Sequence, residues 1–478
     1  MISRDLADCA IHEVAPLIET GEVSPVALLD ACLRRIDRTD PFLHAFLALR
    51  EGAARAAAAV AEREIAEGNY KGKLHGIPFA VKDLLDFEGM PTTAGSLHLR
   101  DNVAHRTATV ITRLTDAGAV FLGKLQMVEF AFGGWGTNTR MGAPRNPWDL
   151  DVHRSPGGSS SGSGVAVAAG MVPFSLASDT GGSIRSPASM NGIVGLKPTI
   201  SSVSTDGVFP LSQTLDSIGP LTRSVEDAAI VFDAIAGADD RDPGTWCGSV
   251  PRLLPGLKTP IRGMRLGLVP DAQLPDVQPE ILRALREAVQ VFRDLGAEVV
   301  ELPLPRRPVD YCIGASHVIR TEGYANLAGL MAQDRGEFDP FVRERIHAGN
   351  QGSAAEFAAR LIERRADMVE MHAVLSGVDA LLLPSTPIAA PPLATIDEYA
   401  MPLSDLTRFV NYLGLCALAL PNGVNAEAMP LSLQIVAPAA RENIAMRIGW
   451  AFENATTWHA RRPDLSSLPA SKGQPSET

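Results

Sequence analysis

Two serine-rich stretches in the middle of the chain contain the residue types needed for acyl transfer. The first, SPGGSSSGSGVAV, spans Ser155 to Val167, and the second, ASDTGGSIRSPAS, spans Ala177 to Ser189. A serine nucleophile requires a proton acceptor and N–H groups that stabilise the oxyanion. The consecutive amides from Thr180 to Ser183 are candidates for those donors, and Lys82, inside the apolar sequence GIPFAVKD, is a candidate for the proton acceptor.

The first stretch also matches other templates. Residues 158–162 fit GxSxG, the nucleophile elbow of α/β-hydrolases, with Ser160 as the nucleophile. This match is weak, because serine and glycine dominate the segment and no local pattern marks a partner histidine. A phosphate-binding loop is excluded, because the nearest sequence, at residues 192–199, has the wrong spacing. A flexible linker is disfavoured, because an apolar small-residue helix is predicted to follow directly.

The composition excludes several function classes. With a net charge of −12 the chain lacks the basic character needed to bind nucleic acid or anionic membranes, so small molecules are the expected partners. Its five cysteines include no CxxC pair, which argues against a disulfide scaffold and a zinc site. The sequence shows neither a signal-peptide pattern nor an apolar run of roughly 20 residues, so we expect a cytoplasmic location.

Strand patterns alternate with helical patterns, which predicts an α/β fold. Ser24 and Pro25 are typical of the N-cap and first turn of a helix. The apolar run from Leu74 to Asp83 predicts a strand that is covered on both faces. Further along, a helical pattern separates the strand-like sequences MRLGLV (264–269) and GAEVVEL (296–302). This strand-helix-strand unit is the kind that builds parallel sheets.

Three longer sequences, LHGIPFAVKDLLD, SPGGSSSGSGVAVAAG and ASDTGGSIRSPASMNGIVGLKPT, together resemble the amidase signature family of serine hydrolases. The similarity includes GMPTTAGS and GAPRNPWDL and covers most of the chain through about Leu302. It implies a single α/β/α domain with a large mixed, mostly parallel central sheet flanked by helices. We therefore predict a helical N-terminal segment at residues 1–70 packed on the main domain, an amidase signature domain at 71–462 and a disordered tail at 463–478.

The resemblance implies a catalytic triad. Lys82 matches the general base, Ser159 the bridging serine and Ser183 the nucleophile, with a cis peptide bond between Gly158 and Ser159. A free lysine titrates near pKa ~10.4, so a lysine that acts as a base at neutral pH needs a pKa lower by about three pH units. Burial of Lys82 in its apolar strand acts in that direction.

Other residues are expected to support this triad. Ser160 and Ser178 match supporting polar positions, and Asp179 is expected to brace its loop rather than to act as a triad acid. The expected oxyanion hole consists of the amides of Thr180, Gly181, Gly182 and Ser183. The expected substrate pocket, in a segment that resembles the acyl pocket of the family, contains Phe132, Gly134 and Trp135.

These features predict an amidase that hydrolyses a carboxylic amide through an acyl-enzyme intermediate, with aryl amides, esters and carbamates (a urethanase activity) as further candidate bonds. The alternative is the glutamine-hydrolysing A subunit of a tRNA-dependent amidotransferase, which the chain also resembles. Neither function requires a metal ion or an organic cofactor. The expected partner is a small-molecule amide or carbamate, not nucleic acid or a membrane. The sequence is also compatible with a homodimer. Specificity is expected to reside in the divergent segment from Arg306 to Ala400.

Overall fold

One mixed β-sheet organises the part of the chain that the structure describes. In this computed structural model the described residues are 5–246, 250–274, 276–334 and 336–468. Their strands are β1 (Phe46–Leu49), β2 (Pro78–Lys82), β3 (Val120–Leu125), β4 (Phe174–Asp179), β5 (Val194–Lys197), β6 (Ser217–Thr222), β7 (Arg265–Leu268), β8 (Glu298–Glu301), β9 (Ala380–Pro384), β10 (Cys416–Val424) and β11 (Pro430–Ala437). Across the sheet they follow the order β1-β3-β2-β4-β6-β5-β10-β11-β9-β7-β8.

Helices flank this sheet. They are α1 (Ile11–Glu19), α2 (Pro25–Leu43), α3 (Glu51–Ala66), α4 (Thr109–Asp116), α5 (Ser161–Ala168), α6 (Arg185–Asn191), α7 (Val225–Ile235), α8 (Pro279–Asp294), α9 (Cys312–Met331), α10 (Pro340–Ala348), α11 (Ala354–Leu375), α12 (Arg408–Tyr412) and α13 (Glu442–Ala455). No helix among the described residues is long and apolar enough to span a membrane.

The α/β fold with one large mixed sheet is confirmed, but parallel pairs are not the majority. Among the described strands four pairings are parallel and six are antiparallel. The parallel pairs surround β2 and β7. Strands β10 and β11 are joined by a short turn closed between Asn425 and Met429, which forces them to run antiparallel. The sequence analysis recognised the crossover unit but not this hairpin, because its turn contains no glycine.

The predicted strand-helix-strand unit is confirmed. Strands β7 and β8 pair in parallel, and α8 connects them. The apolar residues that repeat along α8, Ile281, Leu285, Val289 and Phe292, form its buried face. This spacing places them on one side of the helix, so the hydrophobic periodicity in the sequence was sufficient to predict the packing.

The N-terminal segment is not purely helical. Ser24 caps α2 as expected, because its Oγ accepts hydrogen bonds from the amides of Val26 at 3.0 Å and Ala27 at 3.2 Å. However, the segment also contributes β1, which pairs antiparallel with β3 at the edge of the sheet. The predicted helical segment at residues 1–70 is therefore partly strand, and β1 ties it to the main sheet.

The C-terminal tail begins later than predicted. Leu465 and Leu468 are 6% and 8% exposed and belong to the hydrophobic cluster around α5. Residues 463–468 are thus packed rather than disordered, because these two leucines bury apolar surface. The sequence around them is mostly polar, which is why a disordered tail was predicted. The rest of the predicted tail, residues 469–478, lies outside the described residues.

The serine-rich stretch at residues 155–167 is part of the interior and not a linker. Every residue of α5 is buried, and its glycines allow it to approach other backbone segments closely. A Cβ atom added at Gly162 would lie 2.6 Å from the amide nitrogen of Gln126 and would also collide with the carbonyl oxygen of Ala45. Only a residue without a side chain fits this contact.

We expect Gly162→Ala to lower the free energy of unfolding by about 2 kcal/mol or more, because the added methyl group meets rigid backbone. Gly52→Ala is the matched control: Gly52 lies in α3, and an added Cβ there has no neighbour within 4 Å. This control should keep or slightly raise the stability. Urea unfolding followed by circular dichroism measures both, and equal stabilities of the two variants would contradict the close approach of α5.

Candidate active site

Lys82 is the last residue of β2, and its side chain is fully buried. Its Nζ atom lies 2.6 Å from Ser159 Oγ and 2.8 Å from Ser178 Oγ. Ser178 is on the neighbouring parallel strand β4, so the sheet itself brings the lysine and this serine together. Burial lowers the pKa of Lys82 to about 7, although the carboxylates of Asp216 and Asp179 act in the opposite direction. A substantial fraction of this lysine is therefore neutral at neutral pH.

Ser159 lies on the loop that precedes α5. The peptide bond between Gly158 and Ser159 is cis, as the sequence resemblance implied. Two backbone hydrogen bonds hold this loop against residues 128–134: Gly158 N–H donates to Gly134 O at 2.7 Å, and Val128 N–H donates to Ser159 O at 3.0 Å. The loop is therefore anchored on both sides of the serine hydroxyl that contacts Lys82.

Ser183 lies just before α6 and is 8% exposed. It lines a cavity of about 50 Å³ together with Gly158 and the segment from Thr180 to Gly182. Its hydroxyl makes no hydrogen bond to the part of the chain that the structure describes. The two serine-rich loops thus meet at this cavity, and the hydroxyl of Ser183 is open toward it.

Asp179 organises the loop between β4 and α6. Its carboxylate accepts hydrogen bonds from the amides of Gly182 at 2.8 Å and Ile184 at 3.1 Å, and from Arg185 Nε and Nη2, both at 3.0 Å. Asn411 Nδ2 donates a further bond at 2.9 Å. Burial alone would raise the pKa of Asp179, but the guanidinium of Arg185 holds it well below its usual range. This carboxylate is a permanently ionised brace, as the sequence analysis expected.

The amides of the expected oxyanion hole are not equivalent. The N–H group of Gly182 is directed at Asp179, so it is not available to an oxyanion in this conformation. The amides of Thr180, Gly181 and Ser183 make no backbone hydrogen bond to the described residues and stay available. The oxyanion hole stays a prediction, and the sequence could not show that the carboxylate of Asp179, three residues earlier, takes the N–H of Gly182.

Asp216 is a buried site residue that the sequence analysis missed. Its carboxylate accepts from Thr180 Oγ1 at 2.5 Å and from the amides of Leu211 and Ser212, both at 2.9 Å. Burial raises its pKa to about 6. The available signal was an acidic residue directly before the apolar strand β6, in the sequence LDSIGP.

Ser160 does not occupy the position of a nucleophile. Its side chain is fully buried, and its hydroxyl donates to the carbonyl oxygen of Ser178 at 3.3 Å. No histidine among the described residues hydrogen-bonds to it. Ser160 and Ser178 therefore support the loop and the lysine, and the α/β-hydrolase template loses its nucleophile.

The expected pocket residues divide into two groups. Phe132 and Gly134 line the cavity that contains Ser183. Trp135 does not line it: its indole N–H lies 3.0 Å from the carbonyl oxygens of Asp397 and Ala400, and its ring is buried in a separate apolar cluster. Trp135 is thus a core residue that anchors the segment near residue 400. Gly134 and Trp135 lie in a bend of the chain, which lets Gly134 line the cavity while Trp135 packs in the core.

The described residues contain no group of three or more histidine, cysteine, aspartate or glutamate side chains that could hold a metal ion. The site is instead built from one lysine, several hydroxyl groups and backbone amides. Such a set can move protons and stabilise an oxyanion.

A family model described as Amidase matches residues 27–445. The chain is 37% identical to the A subunit of the glutamyl-tRNA(Gln) amidotransferase of Geobacter metallireducens, over 96% of this chain and 100% of that protein. Among solved structures, the peptide amidase of Stenotrophomonas maltophilia is 32% identical, with a TM-score of 0.83 over 95% of this chain and 98% of the other. A chain from a vestigial protein complex, studied for the origins of an s-triazine catabolic enzyme, is 33% identical, with a TM-score of 0.87 over 97% and 100% of the two chains.

We expect Lys82 to make stability depend on pH. The lysine pKa is near 10.5 in the unfolded chain and about 7 in the folded protein, so the unfolded chain binds more protons between these values. The free energy of unfolding should therefore rise with pH across this window, by about 2 kcal/mol between pH ~7 and pH ~9. Urea unfolding at both pH values measures this dependence; because the pKa of Lys197 is also lowered, to about 8, Lys82→Met should make the rise smaller by about 2 kcal/mol rather than remove every pH effect. An identical pH dependence in the variant would show that the lysine is not the source.

Proposed function

The chain belongs to the amidase signature family, and on that premise we propose that it hydrolyses a carboxylic amide with Ser183 as the nucleophile. The observation that carries this proposal is the contact between the buried Lys82 Nζ and Ser159 Oγ, at 2.6 Å. A lysine with a pKa of about 7 can accept a proton at neutral pH, which an exposed lysine cannot do efficiently. These observations support a base and a proton relay close to the hydroxyl of Ser183.

The proposed reaction begins with a proton relay. Neutral Lys82 removes the proton of Ser159, Ser159 removes the proton of Ser183, and Ser183 Oγ attacks the amide carbonyl carbon. In this proposal the Ser183 hydroxyl, which has no hydrogen bond to the described residues, donates to Ser159 Oγ during the reaction. The tetrahedral intermediate collapses when the carbon–nitrogen bond breaks and the nitrogen takes a proton back through the relay. Water then hydrolyses the ester on Ser183, and the relay is restored.

The oxyanion of this intermediate requires donors in the same cavity. The unoccupied amides of Gly181 and Ser183 are the best candidates, because the amide of Gly182 is held by Asp179. A well-placed donor of this kind contributes about 3 to 4 kcal/mol to transition-state stabilisation. Asp179 supports catalysis indirectly in this proposal, because it fixes the conformation of the loop that carries both donors.

The identity of the amide is the finer part of the proposal. The sequence relatives favour the alternative from the sequence analysis, because the A subunit of a glutamyl-tRNA(Gln) amidotransferase aligns along its whole length with 96% of this chain. We therefore propose glutamine, a primary amide whose leaving group is ammonia, as the first substrate, and the partner in this proposal is a further protein chain. The resemblance to a peptide amidase keeps a stand-alone enzyme as the second candidate.

The purified chain should release ammonia or amine from at least one member of a panel of glutamine, primary amides, p-nitroanilides and carbamates. Ser183→Ala and Lys82→Ala should each lower kcat by at least about a thousandfold, because both remove a member of the relay. Ser163→Ala is a matched control: this buried serine lies in α5, outside the proposed relay. Full activity of Ser183→Ala would refute the nucleophile assignment. Activity on glutamine that requires an added second protein would favour the amidotransferase over the stand-alone enzyme.

We expect kcat/KM to rise with pH through an apparent pKa of about 7, because only unprotonated Lys82 accepts the proton of Ser159. Lys82→Arg should abolish activity at every pH, since arginine stays protonated. Lys73→Arg changes an exposed lysine and should leave the profile unchanged. Initial rates between pH ~5.5 and pH ~8.5 provide the measurement, and a flat profile would contradict the role of Lys82 as the base.

A further inference from the structure

The cavity that contains Ser183 continues into a larger one. Beside it lies a cavity of about 380 Å³, and four residues line both: Phe132, Ile319, Met401 and Arg408. The larger cavity is bordered by α9, by α10 and by the segment before α12. A substrate held at Ser183 can thus extend into a space that is large enough for a group distant from the scissile amide.

Arg408 lies at the junction of the two cavities. Its side chain packs on the loop between β4 and α6, since a Cβ added at Gly181 would lie 3.3 Å from Arg408 Nε. One of its terminal nitrogens, Nη1, donates to Ser316 Oγ at 2.8 Å. Its Nε atom is buried and has no hydrogen-bond partner among the described residues. A buried N–H donor without an acceptor is costly to maintain, so a ligand that accepts from this half-buried side chain would be bound strongly.

Arg320, on α9, faces the same cavity. Among the described residues it has no hydrogen bond to its side chain and no carboxylate within 4.0 Å. Burial and the positive charges of Arg408 and Arg345 lower its pKa. The charges that act on Arg320 most strongly are therefore of its own sign.

The other charged groups that line the larger cavity do not accept hydrogen bonds from Arg408 or Arg320. Arg345 is itself paired with Glu398 at 2.9 Å and donates to Phe132 O at 2.9 Å. Glu344 hydrogen-bonds to the Tyr399 hydroxyl. Asp405 also lines the cavity. Burial raises its pKa, against the opposing effect of Arg408, and it forms no ion pair within 4.0 Å among the described residues. Arg408 and Arg320 consequently keep donors that the protein does not use.

We propose that Arg408 and Arg320 bind a carboxylate that the substrate carries in addition to its scissile amide. This inference rests on the proposed function, because it places the amide at Ser183. A carboxylate accepts charge-assisted hydrogen bonds from guanidinium groups and satisfies the free donors of both arginines. Since the proposed leaving group is ammonia, the carboxylate belongs to the acyl part of the substrate, as in a half-amide of a dicarboxylic acid.

Binding can be tested without turnover in the Ser183→Ala variant. Isothermal titration calorimetry would compare the half-amides of succinic, glutaric and adipic acids with their methyl esters, which lack the charge. The half-amide of the best length should bind at least about tenfold more tightly than its ester. Adding Arg408→Gln or Arg320→Gln should bring this ratio close to one, whereas Arg408→Lys should keep part of it.

Arg283→Gln is the matched control, because Arg283 is an exposed arginine on α8 that lines neither of the two cavities. It changes the net charge equally and should leave the ratio of half-amide to ester binding unchanged. Thermal unfolding would verify that each variant is folded; Arg320→Gln replaces an exposed side chain and keeps the test open if Arg408→Gln is unstable.

The outcomes separate this inference from the proposed function. Equal binding of half-amides and esters, no binding of any half-amide, or a ratio that both arginine variants leave unchanged would overturn the carboxylate site. Hydrolysis of neutral amides that Ser183→Ala abolishes would still support the chemistry in those cases. Conversely, tight binding of a half-amide, with no hydrolysis of any amide in the panel by the unmodified enzyme with or without an added second protein, would support the carboxylate site and contradict the proposed function.

Discussion

The burial of Lys82 is the constraint on which the site depends. A lysine ammonium group is strongly hydrated, and transferring it into the interior costs free energy unless it is paired or loses its proton. The hydrogen-bond partners of Lys82 in the described structure are the hydroxyls of Ser159 and Ser178, which stabilise a charge only weakly. The neutral amine is therefore favoured, and a neutral lysine amine can accept a proton. The nearby carboxylates must in turn be held by other donors, as the bonds around Asp179 and Asp216 show.

Close backbone contacts bring the reactive groups together in a small space. At Gly158 an added Cβ would lie 2.7 Å from the amide nitrogen of Gly136, so the two loops touch through their main chains. The glycines and serines that resemble a flexible linker in composition are buried here, and their polar groups are used in the interior. Serine is suited to this role because its hydroxyl can donate and accept in the same position. The composition that suggests mobility in isolation thus permits a densely packed cluster of buried hydroxyl groups around Lys82.

The sequence predicted local features better than long-range pairing. The N-cap at Ser24 and the periodic face of α8 depend on residues a few positions apart, and both are confirmed. The proportion of parallel pairs and the strand at Phe46–Leu49 depend on partners far along the chain, and there the structure differs from the expectation. At the site, the resemblance identified residues that the fold brings together, but the orientation of Trp135 and the donor lost at Gly182 are set by contacts that no local pattern encodes.

The charged groups around Lys82 differ from those at the larger cavity in whether they have partners within the protein. Asp179 is matched by Arg185, and burial lowers the pKa of Lys82 so that this lysine can lose its proton and needs no carboxylate partner. A buried donor without an acceptor costs free energy, and Arg408 Nε is such a donor beside the cleft. Arg408 and Arg320 nevertheless keep free donors where the cavity leaves the nucleophile. In the proposed complex, a carboxylate in the part of the substrate that does not react would supply the acceptor that Arg408 Nε lacks among the described residues.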